Sequence, residues 1–256
     1  MSRLRVERDG AVGRIVLARP EKKNALDEQA APELDDALRA LAADDLVHAV
    51  LLTADGDDFC AGADLRALEA MIDAAPDVHR RDARALGGVF TTMRGLTKPV
   101  VAAVRGRALA GGAGLATACD IVLAHEDAQF GYPEVRVGFV PAMVMTMLRR
   151  SVGEKRAFEL VATGRIIPAR EALELGLVSR VLSDGEFDAQ VESVVRQLAS
   201  AAPNALRLTK QLFYALDRAG FHEGIALGAE ANVEARGTDE FREGVRRFVR
   251  KSKEQS

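Results

Sequence analysis

Cysteine and histidine are scarce in this 256-residue chain, which has two of the first and four of the second. Cys60 and Cys119 lie far apart in no metal-ligand spacing, and His48, His79, His125 and His222 form no ligand motif. Neither a disulfide framework nor a metal centre is expected, and with no base beside either cysteine in sequence both read as packing residues. A long apolar run is also missing, so no transmembrane helix is expected. The segment Met1–Val6 has no apolar signal core, which points to the cytosol. Net charge is small, at −3 with pI about 5.9, and this argues against nucleic acid or a membrane surface as partner. What the chain does have is 48% apolar residues, enough for one domain, or one domain with an appendage.

Strand and helix signals alternate in the first half. Leu4–Arg8, Asp9-Gly10 and Val12–Ala18 read as a hairpin, and Asp27–Ala43 as a helix with Leu34, Leu38 and Leu41 on one face. Val47–Thr53, Val100–Val104, Ile121–Ala124 and the short Gln129–Gly131 read as strands. A charged helical stretch runs with interruptions to about Gly95, and another helix covers Leu115–Cys119. From Pro141 onward the pattern is almost entirely helical. Ser183–Glu186 has capping-box spacing ahead of an amphipathic segment, and a last helix near Thr238 starts acidic and ends basic. These signals predict an α/β core with a helical C-terminal extension.

Two glycine-rich turns, Ala61-Gly62-Ala63-Asp64 and Gly111-Gly112-Ala113-Gly114, each follow a strand and precede a helix. Glycine there lets a ligand approach the backbone, and the first free N–H groups of a helix point at it. Two such N–H groups converging on one oxygen would make an oxyanion hole. Tight strand-to-helix packing explains the same glycines equally well. A phosphate cradle lacks the Gly-Lys-Ser/Thr signature, and a dinucleotide fingerprint is present only as a fragment.

Several segments together resemble the enoyl-CoA hydratase/isomerase (crotonase) family. They are Arg19-Pro20…Asn24-Ala25-Leu26, Phe59–Leu65, Lys98–Val104, Gly106–Gly112, Ala118–Ile121, Ala128–Glu134, Gly164-Arg165, Glu171-Ala172 and Leu175–Val178. The resemblance implies an α/β fold, a crotonase-like spiral of ββα units over residues 1–195 carrying the CoA-thioester site. Residues 196–256 would be a C-terminal helical trimerisation region, giving a homotrimer or homohexamer. It implies an acyl-CoA thioester as substrate, with coenzyme A part of that substrate and no separate cofactor or metal. The oxyanion hole falls to the backbone N–H groups of Ala63 and Gly111. CoA is expected along Lys22, Asn24, Ala25 and Leu26 and along Ala61, Gly62, Asp64 and Leu65, with Lys251 of the last helix near its phosphates.

Glu134 matches the family's second catalytic glutamate. The first, expected three residues after the oxyanion glycine, is replaced by Gly114. Two carboxylates hold the water in the simplest hydratase mechanism, whereas one is sufficient to shuttle a proton between carbons, as Δ3,Δ2-enoyl-CoA isomerases do. Yet Gly111–Leu115 and Pro133–Gly138 are similar to a bacterial branch of hydratases of branched or carboxylated enoyl-CoAs that lacks the first glutamate. The sequence thus predicts a single-glutamate hydratase, with an isomerase, or a non-catalytic acyl-CoA binder, as alternatives. Asp64 reads as a helix cap. Glu69, Asp73, Arg66, Arg81 and Arg84 read as a solvated face, though the arginines could meet a substrate carboxylate. Met143, Met145 and Met147 read as helix core before acyl tunnel.

Overall fold

The computed structural model describes residues 3–254, with side-chain detail to residue 250. Gly10, at φ 59°, turns β1 (Leu4–Asp9) antiparallel onto β2 (Val12–Leu17). Helix α1 (Ala30–Ala43) buries Leu34, Leu38 and Leu41 as its spacing requires, but starts three residues after the expected Asp27. The reason is local: Asp27 Oδ1 accepts from the N–H groups of Gln29 and Ala30, so that residue stands outside the helix as a capping turn.

The chain continues through β3 (Ala49–Ala54), α2 (Leu65–Ala70), α3 (Pro76–Gly95), β4 (Val100–Val104), β5 (Arg107–Leu109) and α4 (Gly111–Ala118). After β6 (Ile121–His125) and β7 (Gln129–Gly131), a 3₁₀ turn at Pro133–Val137 leads to α5 (Ala142–Val152) and α6 (Glu154–Thr163). Then come β8 (Ile166–Pro168), α7 (Ala169–Leu175), β9 (Arg180–Leu182) and α8 (Phe187–Ala199). The remaining helices are α9 (Pro203–Ala215), α10 (Phe221–Arg236) and α11 (Asp239–Glu254). One sheet runs β1-β2-β3-β4-β6-β9, parallel beyond its first hairpin, and a smaller one runs β5-β7-β8. Successive strand–strand–helix units therefore wind into the expected spiral, one strand of each later unit going to each sheet.

Alternation along the strands divides the core. Ile15, Val50, Leu52, Val100, Ala102 and Val104 face α1, α3 and α4, while Ala49, Leu51, Val101, Ala103 and Leu123 face Phe187, Val191, Val194 and Val195 of α8. A parallel sheet covered on both faces gives apolar runs such as Val100–Val104. Three strands escaped the sequence reading: β5, β8 and β9 have three residues each, too few to show any period, and exist because a neighbouring strand pairs with them.

Residues 195 and 196 both lie inside α8, which packs in the core layer, and the next helix is α9. That helix is bolted on by Lys210, whose buried ammonium donates to the carbonyls of Met93 (2.8 Å) and Lys98 (3.0 Å) and to Asp120 Oδ2 (2.7 Å). Tyr214 Oη donates to Asp120 Oδ1 at 2.7 Å. Burial lowers the Lys210 pKa and the Asp120 carboxylate opposes that drop. Helix α10, by contrast, buries no residue. None of the described helices is long and apolar enough to cross a membrane.

Candidate active site

The two glycine turns lie against each other. Cys60 sits between strand partners, its N–H donating to Arg107 O and its carbonyl accepting from Leu109 N, both at 2.9 Å, so residues 59–62 run beside β5. A Cβ placed on Gly62, which has φ 94°, would lie 2.8 Å from Ala110 Cβ and 3.6 Å from Gly111 N. Only glycine permits that approach. On the other side, Leu26 N donates to Gly62 O (2.7 Å) and Asp64 N to Leu26 O (2.8 Å). This parallel bridge uses the Gly62 carbonyl and the Asp64 N–H on either side of Ala63 and leaves the Ala63 N–H free.

Gly111 opens α4, so its N–H has no acceptor within the helix. Ala110 before it is held at φ 49°, ψ −120°, a conformation that costs a residue with a Cβ about 1–3 kcal/mol. Its own N–H donates to Gly131 O at 2.8 Å. Among the described residues neither the Ala63 nor the Gly111 N–H has an acceptor. Free donors on touching turns, one at the positive end of a helix, favour negative charge on a bound oxygen. The packing explanation of the glycines also holds: a Cβ on Gly112 would fall 2.2 Å from Cys60 O.

Glu134 stands in the 3₁₀ turn after β7, half-buried, with its Oε2 enclosed and unpaired. Burial raises its pKa, against a weaker backbone hydrogen bond that lowers it, which holds the proton closer to neutrality. Tyr132 ties this turn to α4. Thr117 Oγ1 gives its hydrogen to Ala113 O (2.6 Å), so the buried Tyr132 hydroxyl is the donor in its 2.8 Å bond to Thr117. Tyr132→Phe is expected to cost about 1 kcal/mol, the net value of one such bond, read as a lower urea midpoint with an unchanged slope.

At Gly114 the space a side chain would enter is already filled. A Cβ there would lie 2.3 Å from Val144 Cγ1 and 2.9 Å from Phe90 Cζ. The glutamate's absence is therefore built into the packing of α3 and α5 as well as into the sequence.

The remaining candidates separate. Asp64 caps α2, its Oδ1 accepting from Arg66 N at 3.0 Å. Asn24, at φ 53°, is buried, and its amide is spent on the loop. Its Nδ2 donates to Asp55 O and Asp58 O and its Oδ1 accepts from Arg19 N. It shapes the 19–26 loop from inside, while Lys22 and Leu65 are exposed and Ala25, Leu26 and Ala61 half-buried. The Lys251 side chain lies outside the described side chains. Arg66, Glu69, Asp73, Arg81 and Arg84 are exposed. Met147 is core and Met143 packs on it, while Met145 faces solvent. A cavity of about 1160 Å³ between α3, α5 and α9 is lined by Arg84, Arg94, Phe90, Met143 and Tyr214, but by none of Ala63, Gly111 or Glu134. Both cysteines are free and buried, and burial raises their pKa, that of Cys60 to about 12. Among the described residues no cluster of three or more His, Cys, Asp or Glu could hold a metal.

Comparison with known proteins adds an independent line. The family model for enoyl-CoA hydratase/isomerase matches residues 7–255. A Thermus thermophilus protein named "Putative enoyl-CoA hydratase" is 44% identical over 242 residues, 94% of this chain and 96% of that one. The short-chain-enoyl-CoA hydratase of Clostridium acetobutylicum is 34% identical over 251 residues, 97% and 95% of the two chains. The crystal structure of an enoyl-CoA hydratase from Mycobacterium smegmatis superposes with a TM-score of 0.94 at 32% identity, covering 98% of this chain and 97% of that one. With the spiral fold, the paired turns and Glu134 in place, the chain belongs to the enoyl-CoA hydratase/isomerase family.

Proposed function

We propose that this protein is an enoyl-CoA hydratase that adds water across the 2,3 double bond of an enoyl-CoA thioester. One observation carries the reading: a half-buried Glu134 carboxyl, one oxygen unpaired, on a turn tied to the helix whose first N–H is free. The thioester oxygen sits between the Ala63 and Gly111 N–H groups, which gain strength as enolate charge develops on it. Glu134 moves the proton. CoA lies along Lys22–Leu26 and Ala61–Leu65, Asn24 acting through the loop it holds, and the chemistry asks for no further cofactor. The hydratase names of the relatives support the choice of reaction.

A second reading, Δ3,Δ2-enoyl-CoA isomerase, is favoured by the filled space at Gly114. Incubation with crotonyl-CoA and 3-hexenoyl-CoA separates the two. Gain of one water by crotonyl-CoA supports hydration, and conversion of the 3-enoyl to the 2-enoyl thioester without hydration supports isomerisation. Binding of CoA esters with neither change leaves a non-catalytic acyl-CoA binder, and failure to bind any CoA ester removes the proposal.

The same reading makes the C-terminal helices an oligomer surface. Phe221, Ile225 and Val233 of α10 and Phe241, Val245 and Phe248 of α11 are exposed, more apolar area than a lone chain usually leaves open. Light scattering after gel filtration is expected to give the mass of a homotrimer or homohexamer of the 27.5 kDa chain; a monomer at micromolar concentration would contradict it.

A further inference from the structure

The site described so far leaves hydration with one carboxylate, and α3 carries a candidate for the second. Its inward face runs Val78, Asp82, Ala85, Leu86, Val89, Phe90 and Met93, half-buried at the start and buried at the end, while Arg80, Arg81, Ala83 and Arg84 are exposed. Asp82 is the one charged residue on that stripe. Helical spacing places it directly above Leu86, and Leu86 reaches the site, its Cδ2 lying 3.8 Å from where a Cβ on Gly111 would stand. One turn earlier along the axis, about 6 Å, Asp82 lies on the same face of α3 as Leu86, the face that meets the oxyanion turn. Among the described residues it has no hydrogen-bond or ion-pair partner. Of the groups facing it, His79 on its own helix lowers its pKa and Glu28, just beyond the Leu26 bridge, raises it, but burial is the largest influence and the net direction is up. A cost-bearing acid on an apolar face needs a reason other than folding.

We propose that Asp82 is the second carboxylate of the hydration reaction, taking the proton of the water that adds to C3. This rests on the hydratase reading above and deepens it. The water oxygen bonds C3 as one O–H bond breaks, its proton passing to the Asp82 carboxylate. The C2–C3 π pair moves through the thioester onto the oxygen held by Ala63 and Gly111. As that charge returns, a new bond forms from C2 to the proton of the Glu134 carboxyl. Solvent then removes the proton from Asp82 and restores that of Glu134, so one water is consumed with no oxidation. The acids take their complementary roles from different elements, α3 and the 3₁₀ turn, because the α4 position is closed by Val144 and Phe90.

Two reactions test it: hydration of crotonyl-CoA, and deuterium exchange at C2 of the saturated butyryl-CoA, which requires the oxyanion hole and Glu134 but adds no water. In Asp82→Asn, hydration kcat is expected to fall about 10²-fold with little change in KM. The ratio of hydration to exchange should fall at least tenfold, and Asp82→Glu should recover part of it. Asp82→Ala, the best helix former at that position, repeats the measurement if the amide variant is poorly folded. Parallel loss of both reactions, or loss of neither, overturns the role of Asp82 while the hydratase reading stands. Absence of hydration by the unmodified protein overturns both.

Discussion

Glu134→Gln lowers the rate of crotonyl-CoA hydration by about 10²–10⁴-fold, the range a positioned acid–base supplies, while affinity for CoA esters changes only a few-fold. Glutamine preserves shape, so the thioester still reaches the Ala63 and Gly111 N–H groups. What is lost is a proton that can leave and return. The variant also carries a stability signature. Burial raises the Glu134 pKa in the folded protein above its ordinary value, so folding favours the protonated form. Below the ordinary carboxylate range both states are protonated and no penalty arises. As pH rises through the raised value, the folded protein must either hold an enclosed, unpaired carboxylate or bind a proton the unfolded chain has released. Glu134→Gln is therefore expected to melt higher than the unmodified protein at neutral pH and to lose that advantage in acid. Melting curves at the two pH values check this. Equal melting temperatures at neutral pH would mean that the carboxyl is solvated, and the account of its reactivity would fail with it.

How much of this was visible in the sequence depends on whether the signal was local. Val100–Val104, a continuous apolar run behind Lys98-Pro99, appears as β4 with the bounds read from it. The glycine turns were equally legible because glycine at a strand-to-helix junction has few explanations, but their contact with each other was not. That contact comes from Cys60 pairing beside β5, a three-residue strand with no pattern of its own. Gly114 was seen as a missing glutamate, and nothing near it in sequence shows that Val144 and Phe90, on different helices, occupy the volume. Asp82 shows the opposite failure: it is plainly on a charged helix, and without knowing which face of α3 is inward it is one acid among many arginines and aspartates. The Tyr132–Thr117 bond joins residues fifteen apart on separate elements and has no sequence signature at all.

The volume at Gly114 also decides what happens when the family's first glutamate is put back. Gly114→Glu does not create a two-glutamate hydratase; it is expected to destabilise the fold by more than about 4 kcal/mol. The new Cβ alone would overlap Val144 Cγ1 at 2.3 Å and press on Phe90 at 2.9 Å, and overpacking of this kind costs about 1–3 kcal/mol. A carboxylate follows that Cβ into a region walled by Val144 and Phe90, both buried, and an unpaired charge there adds several kcal/mol more. Because Gly114 lies in the first turn of α4, any backbone shift that relieves the overlap also moves the Gly111 N–H, so hydration should fall even in molecules that remain folded. Urea unfolding measures the first effect and crotonyl-CoA turnover the second. Adding Val144→Ala removes the closest contact and should return part of the stability, whereas Leu148→Ala on the same helix should only add to the loss. If Gly114→Glu instead unfolded at the same urea concentration and hydrated faster, α3 and α5 would have to be free to part, and the case for an acid recruited from α3 would lose its structural ground.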